Sequence, residues 1–173
     1  MGFSRLALRS VILSGQVMNT AEMGRLLIEK GISISCAESC TGGLFASALV
    51  TVPGISSVFD RGLVTYSNKA KMDELGVKGS TLDEFTAESA EVAAEMVKGL
   101  YEKTGSRICI ASTGVAGPGS IGENAAGNMW IGIAVDGEVT VRELKSGRDN
   151  REWNRVYCTR VMIHEVSKIC RSL

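Results

Sequence analysis

Residues 32–50 read ISISCAESCTGGLFASALV, and three kinds of patterning meet in them. Ile32, Ile34 and Cys36 alternate with polar residues at the period of a β-strand. Gly42 and Gly43 follow, and LFASALV then reads as a short buried helix that Pro53-Gly54 brings to a stop. Strand, glycine-bearing loop and helix make up the unit at whose junction open α/β sheets place their ligands.

The rest of the chain extends this unit. Asn19 to Glu22 has capping-box spacing ahead of the apolar face Met23, Leu26 and Leu27, and Gly31 is placed to end that helix. VFDRGLVTY holds a second strand ending near Tyr66, and Ser67 or Asn68 can cap the helix KAKMDEL. In TAESAEVAAEMVKGLYEKTG, Val92, Ala93, Met96, Val97, Leu100 and Tyr101 share one helical face. RICIAST is a third strand, apolar enough to be central. MWIGIAV and VTVRELK flank Asp136-Gly137, a favoured hairpin turn, so part of the sheet must be antiparallel. A last helix runs from about Arg151 to Arg171. The order α-β-α-β-α-α-β-β-β-α predicts an α/β protein, a three-layer α/β/α sandwich with a mixed, mostly parallel sheet.

At 173 residues the chain has room for one full core. Residues 19–173 are expected to form that domain, with 1–18 as an N-terminal arm or start-site extension. Nineteen basic residues balance nineteen acidic ones, so no footprint for nucleic acid is present. No segment is long and apolar enough to span a bilayer, and arginines interrupt the first apolar residues, which argues against a signal peptide. Five cysteines without disulfide-like spacing read as reduced thiols of a cytoplasmic protein. Cys36 and Cys40 could begin a zinc site, but no second Cys/His pair follows and His164 is the only histidine, so no metal is expected.

Chemically, CAESCTGG admits more than one reading. Free N–H groups at a helix start, around Thr41, Gly42 and Gly43, favour an anion or a developing oxyanion. Ser39 or Thr41 can equally be a plain helix cap. As a nucleophile Ser39 needs a base. His164 falls in the terminal helix pattern, which leaves a lysine whose neutral form is reachable by desolvation or nearby positive charge. Lys69 and Lys71 follow Tyr66 closely enough to converge on one cleft.

AESCTGG, GLVTYSNKAKMDELGV and STGVAGPG resemble, in the same order, motifs of the CinA C-terminal domain family, which includes the PncC-type nicotinamide mononucleotide deamidases. The resemblance spans about Asn19 to Leu173. It implies a mixed-sheet α/β/α fold and hydrolysis of nicotinamide mononucleotide to nicotinic acid mononucleotide and ammonia, without a cofactor. By position it puts the nucleophile on Ser39 and the family's tyrosine and lysine on Tyr66 and Lys71. It places Thr113 and Gly114 of the third motif beside the substrate. Cys40 then becomes a small buried neighbour of the nucleophile.

Two segments depart from the family pattern. The Gly-Asp-Arg stretch before the last helix is shifted here to SGRDNREWNR, so the phosphate-holding residue is Arg151 by first choice, with Glu152 and Arg155 in step, and Arg148 by second. GSIGENAAGNMW lacks the Lys-Pro common before the following strand. The expected partner is a small pyridine mononucleotide, with a homodimer or higher homo-oligomer as the commonest arrangement. Two other readings stay open: a non-catalytic nucleotide-binding or interaction module, and an amidase for another small amide.

Overall fold

Alternation and helical periodicity resolve into five strands and six helices in the computed structural model, which describes residues 16–173, with side chains from residue 20 onward. The elements are α1 (Gln16–Lys30), β1 (Ile34–Glu38), α2 (Leu44–Leu49), β2 (Phe59–Val64), α3 (Asn68–Leu75), α4 (Gly79–Phe85), α5 (Ala90–Thr104), β3 (Ile108–Gly114), β4 (Asn128–Val135), β5 (Glu138–Lys145) and α6 (Arg151–Ser172). A 3₁₀ turn (Ile55–Ser57) precedes β2.

The sheet order is β2-β1-β3-β4-β5. β1 pairs in parallel with both β2 and β3, while β3–β4 and β4–β5 are antiparallel. Only β4 therefore runs against the other four strands, so the sheet is mixed and mostly parallel. The hairpin turn places Asp136 (φ 50°) and Gly137 (φ 91°) both in the left-handed region, the geometry that a two-residue turn between twisted strands demands.

Strand alternation divides the core in two. Ile34, Cys36, Ile108, Ile110, Met129, Ile131 and Ile133 face one way, onto Met23 and Leu27 of α1, Phe45 and Leu49 of α2, and Cys158, Met162 and Val166 of α6. Ala37, Cys109, Ala111 and Ala134 face the other way, onto α3, α4 and α5 through Leu75, Leu82, Val92, Met96, Val97 and Leu100. Small residues on this second face let α5 approach the sheet closely. A Cβ on Gly132 would lie 2.3 Å from the Ala93 carbonyl oxygen.

Two local expectations are corrected. α1 is already helical at Gln16, the first described residue, so Asn19 lies inside the helix and the Asn19–Glu22 spacing does not mark its start. Of the proposed arm, residues 1–15 lie outside the described residues, and 16–18 are helical. α4 was not expected. Its first turn is anchored from a distance: Glu95 of α5 accepts from the Lys78 amide and from Thr81 Oγ1, both at 2.8 Å. No helix among the described residues is long and apolar enough to cross a membrane.

Candidate active site

The chain leaves β1 for α2 on one face of the sheet and passes from β2 to β3 through helices on the other. The carboxyl ends of β1, β2 and β3 therefore border a crevice, where ligands of open α/β sheets bind. Ser39 is the first residue beyond β1, fixed by its amide, which donates to the Ser112 carbonyl of β3 at 3.0 Å. Lys71 arrives from the first turn of α3, which Ser67, one of the two cap residues the sequence allowed, caps by accepting from the Ala70 amide.

The Lys71 side chain is 1 % exposed. Its Nζ lies 3.0 Å from Ser39 Oγ and donates to the Thr65 and Tyr66 carbonyl oxygens, both at 3.1 Å. None of these partners is a carboxylate. Burial pushes the Lys71 pKa below the ordinary lysine value, opposed by the charge of Glu88 and the thiol of Cys40. A neutral amine has two N–H groups and one lone pair. Protonated, Lys71 donates to both carbonyls and to Ser39 Oγ; once it loses a proton, the two carbonyls can keep the N–H groups and leave the lone pair for the Ser39 hydroxyl. Lys69 behaves oppositely: exposed and paired with Asp73, it has its pKa raised by that hydrogen bond. Of the two lysines, only Lys71 is placed to act as a base.

Cys40 points away from this pair. Its side chain belongs to the core cluster on the α6 side, which also holds Cys158. All five cysteines are unbridged and buried, and no group of three His, Cys, Asp or Glu among the described residues could hold a metal ion. His164 lies on the exposed side of α6, away from the core, and forms no part of the Ser39–Lys71 pair.

The glycine loop departs from the expectation. Glu38 is fully buried, and its carboxylate accepts from the amides of Gly43 (2.9 Å), Phe45 (3.2 Å) and Ala46 (2.8 Å). The N-terminus of α2 is thus neutralised from within and is not an open anion site. Gly42 donates to the Ser39 carbonyl. Gly42 and Gly43 hold left-handed φ angles of 61° and 92°, so they shape the turn rather than bind an oxyanion. Thr41 is committed as well, its Oγ1 lying 2.8 Å from Ser112 Oγ.

Glu38→Gln tests this capping role. The amide keeps the volume but turns an NH₂ group toward backbone donors. It is expected to cost about 2–3 kcal/mol of stability, seen as a lower urea midpoint at unchanged slope.

The remaining predicted residues separate. Thr113 is buried and its Oγ1 donates to the Ala87 carbonyl at 2.6 Å, while Gly114 lets β3 pass β4, since a Cβ there would lie 2.4 Å from the Met129 Cα. Both hold the frame. Tyr66 is 59 % exposed, and its hydroxyl accepts from Arg151 at 2.8 Å instead of reaching Ser39 or Lys71. Its backbone carbonyl, not its phenol, orients Lys71. Arg151 also donates to the Gly117 carbonyl at 2.9 Å, and so spans from the segment after β2 to the loop after β3. Arg148 lies with its guanidinium 4.4 Å from the Trp153 ring centroid, a stacking contact on its own helix start.

Arg155, given no role from the sequence, donates to the Thr41 carbonyl and sits against Gly42. Its spacing four residues after Arg151, on one side of α6, was the available signal. Glu38 had one too: a carboxylate five to eight residues before the first amides of a helix.

An α/β/α sandwich that brings a serine and a buried lysine together at the carboxyl ends of parallel strands is the class this geometry defines. The chain belongs to the CinA C-terminal domain family, whose model matches residues 17–170. It is 48 % identical over 136 residues to a putative competence-damage inducible protein of Clostridium novyi, covering 78 % of this chain and 33 % of that protein. A protein of the same description from Clostridium perfringens is 43 % identical over 160 residues, covering 92 % and 38 %. The chain thus spans about a third of the length of these relatives. Among solved structures, a CinA superfamily protein from Klebsiella pneumoniae superposes with a TM-score of 0.87 at 28 % identity, covering 92 % of this chain and all of that one. The competence/damage inducible protein CihA from Agrobacterium tumefaciens gives 0.80 at 36 %, covering 86 % and 93 %.

Proposed function

We propose that the chain is an amidohydrolase that converts nicotinamide mononucleotide to nicotinic acid mononucleotide and ammonia. One observation carries this reading: Lys71 Nζ, buried and without a carboxylate partner, lies 3.0 Å from Ser39 Oγ. A binding module has no need of a base aimed at a hydroxyl. The family resemblance supplies the substrate.

Ser39 Oγ attacks the carboxamide carbon while its proton passes to Lys71 Nζ. The carbonyl oxygen becomes an oxyanion, which needs hydrogen-bond donors on the crevice side of Ser39. When the C–N bond breaks, Lys71 returns the proton to the leaving nitrogen, and ammonia departs. Water then attacks the Ser39 ester with Lys71 again taking the proton, and the carboxylate is released as Ser39 regains its hydrogen. Tyr66 orients the base through its carbonyl and holds Arg151 through its hydroxyl. Incubating the purified protein with nicotinamide mononucleotide and measuring ammonia tests the reading. Release of ammonia from other small amides but not from this one would move the substrate, not the chemistry.

Arg151 is the residue assigned to the substrate phosphate, because it spans the crevice and its guanidinium meets only neutral acceptors. Arg151→Ala is expected to raise KM about ten- to hundred-fold with a smaller change in kcat. Arg148→Ala should leave both near the parent values. Nicotinamide riboside, which lacks the phosphate, should be poorer by a factor comparable to the Arg151 loss.

A further inference from the structure

Thr65 holds Lys71 through its carbonyl, but its side chain has no role in the arrangement described above. It is 1 % exposed, and its Oγ1 is a buried polar side-chain atom without a hydrogen-bond partner, a state found here for no other described residue. Burying a hydroxyl without a partner is unfavourable, and such a group in a folded protein calls for an explanation.

Its position supplies one. The Thr65 amide continues the β1–β2 ladder by donating to the Glu38 carbonyl at 2.9 Å, so the alternation of β2 carries on through it. Leu63 packs with the core on the α5 side, and Val64 turns to the opposite face toward Gly43. Thr65 therefore returns to the α5 side. On β1 the same reasoning holds: Ala37 faces α5, Glu38 turns toward α2, and Ser39 comes back to the α5 side. Ser39 and Thr65, each the first residue beyond its strand, thus leave the adjacent ends of β1 and β2 toward one face. Lys71 Nζ touches both residues, at Ser39 Oγ and at the Thr65 carbonyl.

We propose that the Thr65 hydroxyl holds the water that releases the acyl group from Ser39. This rests on the serine–lysine reading above. While Ser39 is free, its own hydroxyl occupies the Lys71 lone pair. Once Ser39 is esterified it has no hydrogen to donate, and the lone pair is open. A water there donates one hydrogen to Lys71 Nζ and the other to Thr65 Oγ1, which directs its oxygen lone pair at the ester carbon. The water oxygen bonds to that carbon as Lys71 takes the proton. The C–Oγ bond then breaks, and the same proton passes to Ser39 Oγ. Thr65 makes no bond to the acyl group, so the first half of the reaction does not need its hydroxyl.

Thr65→Val removes the hydroxyl at nearly constant shape, and Thr65→Ser keeps it. With nicotinamide mononucleotide under rapid mixing, Thr65→Val is expected to release a burst of one equivalent of ammonia. A steady rate about ten- to hundred-fold below the parent should follow, with intact-mass analysis showing an acyl adduct on the protein. Thr65→Ser should restore most of the steady rate. Because the lost hydroxyl had no partner, Thr65→Val should melt no lower than the parent, which a purely structural threonine would not allow. An unchanged steady rate overturns the proposal, and so does equal loss of burst and steady rate. p-Nitrophenyl acetate run in parallel separates the two readings. If the parent turns over this ester but not the mononucleotide, the substrate assignment falls and the Thr65 comparison is read on the ester. If neither compound acylates the parent, both readings fall.

Discussion

Ser39→Ala is expected to lower turnover of nicotinamide mononucleotide by about a thousand-fold or more, while Cys40→Ala keeps most of the activity. The two side chains are adjacent in sequence and lie on opposite sides of the backbone. Ser39 meets the buried amine of Lys71, and Cys40 lies in the core against Cys158. A thiol at that place packs with the core beside Cys158, whereas the Lys71 amine is hydrogen-bonded to Ser39 Oγ. Removing Cys40 should act on stability instead, through a small cavity between the glycine loop and α6. Steady-state ammonia release and thermal melting of both variants separate these effects. An inactive, well-folded Cys40→Ala beside an active Ser39→Ala would reverse the assignment of the nucleophile.

The parts of this arrangement that the sequence made legible are those set by local chemistry. β1 and the hairpin show through alternation and Asp136-Gly137, and α5 shows through a continuous apolar face. The Ser67 cap of α3 matters most for the site, since it sets the helix phase that turns Lys71 inward and leaves Lys69 with Asp73 in solvent. What stayed hidden depends on partners far apart in the chain. α4 carries no cap of its own and is held by Glu95, so its sequence looks like a loop. The glycine loop looked like an anion site because the pattern shows which amides a helix start frees but not which acceptor reaches them. Here Glu38 reaches them first. Thr65 gave no signal, since its oddity is a missing partner, and that appears only once burial is known.

Lys71 is the residue on which the proposed chemistry depends most. Lys71→Met keeps the length and the apolar stem and removes the base, so turnover should fall by about a thousand-fold or more while nicotinamide mononucleotide still binds. Lys71→Arg should fail as well, because a guanidinium does not give up its proton at any useful pH and does not fit two carbonyls and a hydroxyl arranged for an amine. Lys69→Met is the matched control and should remain active, since Lys69 faces solvent with Asp73. The direction of the pH profile follows from burial. Only neutral Lys71 can accept the Ser39 proton, so kcat/KM should rise with pH through a value below the ordinary lysine pKa. Stability should carry the same signature. Between the lowered folded-state pKa and the ordinary value of the unfolded chain, the unfolded state binds the extra proton. The parent should therefore gain stability with rising pH relative to Lys71→Met across that window. The penalty for holding the amine in the core is fully present only below the folded-state pKa. Urea unfolding of the parent and Lys71→Met at several pH values measures the difference. A flat difference, together with full activity in Lys71→Arg, would make the lysine a fixed positive charge beside the substrate. The proton acceptor for Ser39 would then have to lie elsewhere in the crevice.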